Sequence, residues 1–319
     1  MCYRLLLAVA LAASFALAGA QPAAGFPERP VKIIVPTVPG PPPDVVARLL
    51  AERLSLRFGR AVIVENRPGA LGSIGLQAVA RAPADGYTLG LLAMPYVIAP
   101  SLLAHVPYEM ETDFAPVALV NWSYAVLAVP VASPARSVDE LLSQARARPG
   151  ALKYASSGNG TPPHLAGEML RRAAGVEFVH VPYKGTPPSI TALLSGEVDF
   201  AFVAPGALAP HVAAGKVRLL ATPAPRRLAA YPGLPTLAEL GYPVEVSDWQ
   251  GIVAPSGTPA ATLRRLHAEI HAAVLALGDR FRAIGMEPAD LGPDEFAKLV
   301  RTESRKWRRV VQETGIRID

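Results

Sequence analysis

Residues 31–66, VKIIVPTVPGPPPDVVARLLAERLSLRFGRAVIVEN, carry the pattern that decides the fold. Val31-Lys32-Ile33-Ile34-Val35 is a short apolar run of the kind expected for a strand buried on both faces. Asp44 is placed to cap the helix that follows. Its residues Val46, Leu49, Leu50, Leu54 and Phe58 recur at helical spacing, and Gly59 supplies the stop. Residues 61–65 then read as a second strand, 73–81 as a short helix, Asp85-Gly86 as a turn and 88–93 as a third strand. This β-α-β-α-β alternation predicts an α/β fold built on a doubly wound, mostly parallel sheet flanked by helices.

Downstream the pattern repeats in kind. Strands are expected at 126–129, 153–157, 178–181, 198–203 and 217–222. The helix from Ser137 opens on a capping box with Glu140, another runs to about Ala173, and a third starts near Ala207 and stops at Gly215. Near 247–254 the pattern changes to one strand followed mainly by helix. Thr258 is the expected cap and Pro259 the first helical residue, with helices over 260–277, 279–284 and 293–314.

Upstream, residues 1–20 hold one charge, Arg4, then an apolar stretch from Leu5 to Leu17 and a small-residue ending, Ala18-Gly19-Ala20. That is the build of a cleaved secretory signal peptide, and the stretch falls short of the roughly 20 residues that span a bilayer. The only cysteine, Cys2, lies within it, and Gln21 stands where a lipoprotein would need cysteine. The expected product is an exported, disulfide-free periplasmic protein.

Hydrophobic residues make up 51% of the chain and charged ones 18%, enough for real cores and against disorder. No dense Lys/Arg block is interleaved with aromatics, so no nucleic-acid partner is expected. The most basic stretch, 301–309, reads first as a solvated helix face. Catalytic signatures are scarce: there is no Gly-x-Ser-x-Gly elbow, Walker loop or dinucleotide fingerprint, and no cofactor is expected. His267 and His271 share helical spacing but lack a third ligand, and read as a solvent-facing pair.

Two loops stand where open α/β sheets bind ligands, after a strand and before a helix. The first contains Thr37, Val38, Pro39, Gly40 and Pro41. The second is Ser156, Ser157, Gly158, Asn159, Gly160 and Thr161, whose backbone N–H groups from Gly158 to Thr161 can converge on an anion. Both also read as ordinary connections rich in turn formers. His164 is expected to hydrogen-bond locally, Lys184 either to face an anion or to be solvated, and Trp249 to pack in the core or a hinge.

Ordered motifs then run along the mature chain. They include Ile33-Ile34-Val35-Pro36 with Pro39-Gly40 and Asp44, Val64-Glu65-Asn66-Arg67-Pro68-Gly69-Ala70, and Asp85-Gly86-Tyr87-Thr88-Leu89. Further on come Tyr154 to Thr161, His164-Leu165-Ala166-Gly167-Glu168, His180-Val181-Pro182-Tyr183-Lys184-Gly185 and Ala254-Pro255-Ser256-Gly257-Thr258-Pro259. On these motifs the chain resembles the substrate-binding proteins of tripartite tricarboxylate transporters, the Bug family. The resemblance implies a two-lobed periplasmic-binding-protein fold with a ligand cleft between the lobes. With the element pattern, it places lobe 1 at 26–125 plus 247–319 and lobe 2 at 126–246. It further implies a small carboxylate ligand, held by the two loops, and delivery to a membrane permease; engagement of a membrane sensor is the second reading, a periplasmic enzyme the third.

The chain departs from the family pattern in two places. Pro41-Pro42-Pro43 replaces glycines and removes backbone donors, as Pro162 and Pro163 do after Thr161. Val203-Ala204 stands where many relatives carry an acid. The expected ligand is therefore less polar than a di- or tricarboxylate, with Met94 and Tyr96 lining an apolar pocket; alternatively the prolines only stiffen the loop and water supplies the donors.

Overall fold

The computed structural model describes residues 25–314, so the expected signal peptide lies outside the described residues. Strand β1 (Val31–Val35) leads through 36–41 into helix α1 (Pro42–Phe58), and Gly59 ends that helix in the left-handed conformation, φ 61°. Asp44 sits in the first turn instead of at the cap position, which Pro41 occupies. Then come β2 (Val62–Asn66), α2 (Ser73–Ala80), β3 (Thr88–Ala93), α3 (Met94–Leu102) and β4 (Phe114–Ser123).

The chain next builds β5 (Val126–Pro130), α4 (Val138–Ala147), β6 (Lys153–Ser156), α5 (Pro162–Ala174), β7 (Val179–Pro182), α6 (Thr186–Ser195), β8 (Phe200–Val203), α7 (Pro205–Ala213) and β9 (Val217–Ala221). The Ser137 hydroxyl accepts the Glu140 N–H at 3.1 Å, as the capping box requires. Last are β10 (Asp248–Pro255), α8 (Ala260–Ala276), α9 (Gly278–Ala283), β11 (Met286–Leu291) and α10 (Pro293–Thr314). Pro259 is the cap of α8; the Thr258 hydroxyl instead donates back to the Pro255 carbonyl at 2.8 Å.

These strands form two sheets flanked by helices, in the orders β11-β4-β10-β3-β1-β2 and β7-β6-β8-β5-β9. The expected α/β class stands, but the sheets are mixed where mostly parallel ones were expected. Only β2-β1-β3 and β7-β6-β8 run parallel, and every other pairing is antiparallel. The reason is the chain path. It leaves the first sheet from β4 and returns as β10, and neither joint is a right-handed βαβ crossover.

Both sheets point the C-terminal ends of their parallel strands at this junction. Ala93 of β3 pairs with Gln250 near the start of β10, and Val203 of β8 pairs with Val126 at the start of β5. Trp122 and Tyr124 stack at the crossing, 6.5 Å apart and 9° from parallel. One apolar cluster runs across it, from Ile34 and Leu92 through Val246 and Trp249 to Leu127, Tyr154 and Phe200. The geometry therefore brings the two expected ligand loops to the same face of the molecule.

Candidate functional site

The loop after β1 is held from below. Asp44, almost fully buried, accepts hydrogen bonds from the Gly40 N–H (2.9 Å), Arg48 Nε (2.9 Å) and Asn66 Nδ2 (2.8 Å). Burial alone would raise the Asp44 pKa, but the bonds from Arg48, Asn66 and Gly40 outweigh it and hold the carboxyl below its ordinary value. Asn66 Nδ2 also donates to the Thr37 carbonyl at 3.0 Å. With Gly40 committed to Asp44, and Pro39 and Pro41 lacking an N–H, the loop offers the Thr37 and Val38 amides and the Thr37 hydroxyl. Val38 itself is 52% exposed.

The loop at 156–161 is built differently from the expectation. Of the four N–H groups meant to converge on an anion, three are engaged by hydrogen bonds within the segment or to His164 in the helix that follows. Gly158 donates to Ser156 Oγ (3.1 Å), Gly160 to His164 Nδ1 (3.0 Å) and Thr161 to the Gly158 carbonyl (3.4 Å). The Thr161 hydroxyl also donates to the Gly158 carbonyl, at 2.6 Å. Among the described residues nothing engages the Asn159 N–H, and Asn159 is exposed with Ser157 half-buried beside it. These two residues form the outward face of a preorganised loop.

A histidine column braces that loop. Ser156 is fully buried, and its Oγ lies 2.7 Å from His180 Nε2. The His180 ring stacks on His164 at 4.1 Å and on Tyr154 at 4.8 Å, and the Tyr154 hydroxyl donates to Glu168 at 2.9 Å. His164 Nδ1 accepts a proton donor, so it carries no proton itself. Burial lowers the His164 pKa, with Glu168 opposing; burial and then the neighbouring His164 push His180 down to about 3.

A histidine with a depressed folded pKa binds its proton more readily in the unfolded chain. Its contribution to stability is complete above the ordinary value near 6.5 and is lost as pH falls towards about 3. Urea midpoints measured from pH 7.5 to 4 should decline, and His180→Gln should flatten that decline. An unchanged slope in the variant would show that the column does not titrate as described.

The remaining expected residues divide. Lys184 is exposed next to the loop, in a segment fixed by bonds from the Tyr183 and Gly185 N–H groups to the Ser156 and Ser157 carbonyls. Ala204 is half-buried at the start of α7. Val203 is 1% exposed and Met94 0%, both inside apolar clusters. Val203 ends a central strand covered on both faces, and Met94 begins α3 with its side chain turned to the sheet. Tyr96 is also buried, but its hydroxyl lies beside that of Thr37 and within the field of Asp248; burial first, then that charge, raises its pKa. His267 and His271 are half-buried instead of solvent-facing, and the Val117 carbonyl lies 3.1 Å from His267 Nδ1. Among the described residues no group of three or more His, Cys, Asp or Glu could hold a metal.

Two features escaped the sequence reading. Asp248, at the start of β10, stands at the junction and accepts hydrogen bonds from the Trp249 N–H (2.9 Å) and Gln250 Nε2 (3.2 Å). Gly206 of α7 meets Gly285, just before β11, backbone to backbone: a Cβ on Gly206 would lie 2.8 Å from the Gly285 nitrogen. The signal for the first was an acid opening an otherwise apolar strand; the second had none.

Residues 46–316 match the family described as tripartite tricarboxylate transporter family receptor. Protein BugT of Bordetella pertussis is 36% identical over 298 residues, covering 92% of this chain and 91% of its own. Among solved structures, R. palustris Rpa4515 with adipate superposes with a TM-score of 0.80 at 35% identity, over 92% of this chain and 99% of that one. MatC from Rhodopseudomonas palustris with bound malate gives 0.73 at 31% identity, over 90% of this chain and all of that one. Extended matches in both sequence and fold agree, and the chain belongs to the tripartite tricarboxylate transporter receptor family.

Proposed function

We propose that this chain is a periplasmic solute-binding protein that captures a small carboxylate between two lobes and delivers it to a tripartite tricarboxylate-type membrane permease. The lobes are 26–125 with 247–319, and 126–246; they close about the paired crossings at Ser123 and Asp248. What supports this reading is that both loops follow parallel strands on the side where the chain crosses between the sheets, and that each is braced by hydrogen bonds to its own neighbours. Ser157, Asn159 and Lys184 would meet the ligand from one side, and Thr37 and Val38 from the other.

Adipate and malate in the two R. palustris structures support the ligand class. Ser156 touches His180 but is fully buried, and its role here is to hold the loop, not to attack a substrate. The test is calorimetric titration of the mature protein with a panel of mono-, di- and tricarboxylates. Saturable binding of at least one acid, weakened tenfold or more by Asn159→Pro, supports the reading. No heat from any acid would defeat it.

A further inference from the structure

The start of β10 holds a carboxylate to which, among the described residues, no cation is paired. Asn121 and Gln250 are both fully buried and face each other across β4 and β10, with Asn121 Nδ2 donating to Gln250 Oε1 at 2.5 Å. Gln250 in turn donates to Asp248 Oδ2, and the Trp249 N–H to Asp248 Oδ1. The relay ends there. Its donors are neutral, and no cation contributes to the electrostatics of Asp248.

Trp249 and Gln250 have no exposed surface, whereas Asp248 is half-buried, so the relay ends at its most accessible residue. An ionised carboxylate has about four acceptor sites, and two are filled here. Tyr96 lies within the field of Asp248 with the Thr37 hydroxyl beside its own, and Ser123 is the register partner of Asp248. Burial pushes the Asp248 pKa up to about 7, against the two hydrogen bonds, as expected for an acid waiting for a partner.

Burying an acid without a cation is costly unless something completes it. We propose that Asp248 reads the end of the ligand remote from the 156–161 loop and selects a hydrogen-bond donor there, a protonated amine or a hydroxyl, over a second carboxylate. The proposal rests on the carboxylate-binding reading of the cleft. It assigns the ligand class as an amino or hydroxy carboxylic acid, and it places the polar contact where an apolar pocket was expected from Met94 and Tyr96.

The test uses acids matched in length, from three to six carbons, that share one carboxylate and end in ammonium, hydroxyl, methyl or a second carboxylate. Titrations at pH 8 are run on the wild type and on Asp248→Asn, which keeps shape and removes charge. The wild type should bind the best amino or hydroxy acid at least tenfold tighter than the diacid of equal length, and the variant should lose or reverse that order. A wild type that prefers diacids, or a variant with unchanged order, overturns the proposal while leaving carboxylate binding intact. Binding of no acid by either protein would remove the carboxylate reading itself, and the proposal with it.

Discussion

Trp249→Ala should destabilise the protein by about 3–5 kcal/mol, the range for removing a fully buried large aromatic side chain. The Trp249 ring has no exposed surface and packs edge-on against Phe296, with centroids 5.5 Å apart and planes at 88°. It lies in the apolar cluster that continues from one sheet into the other, so the cavity would open where both lean on a shared core. Its Nε1 is buried without a hydrogen-bond partner among the described residues. An unsatisfied buried donor costs about 1–3 kcal/mol, so truncation relieves one penalty while creating a larger one. Trp249→Phe keeps most of the ring and deletes the donor; it should cost clearly less than alanine. Urea unfolding of both variants checks this, and equal losses would mean that the indole N–H finds a partner.

Gly206→Ala should weaken ligand binding at least tenfold, or about 1.4 kcal/mol, while leaving the fold in place. The added Cβ would lie 2.8 Å from the Gly285 nitrogen, 2.9 Å from its Cα and 3.0 Å from the Ile284 carbonyl carbon. Those are main-chain atoms at the start of β11, with no flexible side chain to swing aside. Gly206 follows a strand of the five-stranded sheet and Gly285 precedes one of the six-stranded sheet, so relief requires the two sheets to part. Nearby, Arg226 and Glu287 make an ion pair at 2.9 Å, exposed enough on the arginine side to contribute little. Small-angle scattering of the variant with saturating ligand should show a larger radius than the wild type. Matching radii and affinities would show that this contact plays no part in closure.

Much of the framework was legible because period and punctuation agreed. Strands β1 and β3, helix α1 with its Gly59 stop, and the capping box at Ser137 all announce themselves locally. Helix α3 did not, since Pro95 and Pro100 interrupt it; Pro95 is tolerated in its first turn, where no N–H is needed. Strand β11 mixes Glu287 and Asp290 with apolar residues and carries Pro288, and it forms only as an edge against β4. The mixed pairing of the sheets is a property of the chain path, which no local window contains.

At the site, the loop positions were readable but the direction of their N–H groups was not. Gly160 turns its amide to His164, four residues on, whose ring stacks on the distant His180. Asp248 matters because Asn121 and Gln250, 129 residues apart in sequence, meet beneath it. That Val203 and Met94 would be buried was not legible either, because strand ends and helix starts look alike whether a side chain faces solvent or core.

The register pairing of Ser123 with Asp248 also bears on how this molecule can be recombined. The chain departs and returns through residues that face each other across one antiparallel pair, about 5 Å apart. Everything from Tyr124 to Ser247 is thus a cassette hung on a single hairpin, and a short turn in its place would leave the six-stranded sheet with all its strands. Exchange of that cassette between relatives would replace one wall of the proposed cleft while keeping Asp248, Tyr96 and Thr37 in the rest of the chain. Swapping that one contiguous stretch of gene would change specificity wherever the new cassette also brings a match for the apolar core shared with Trp249.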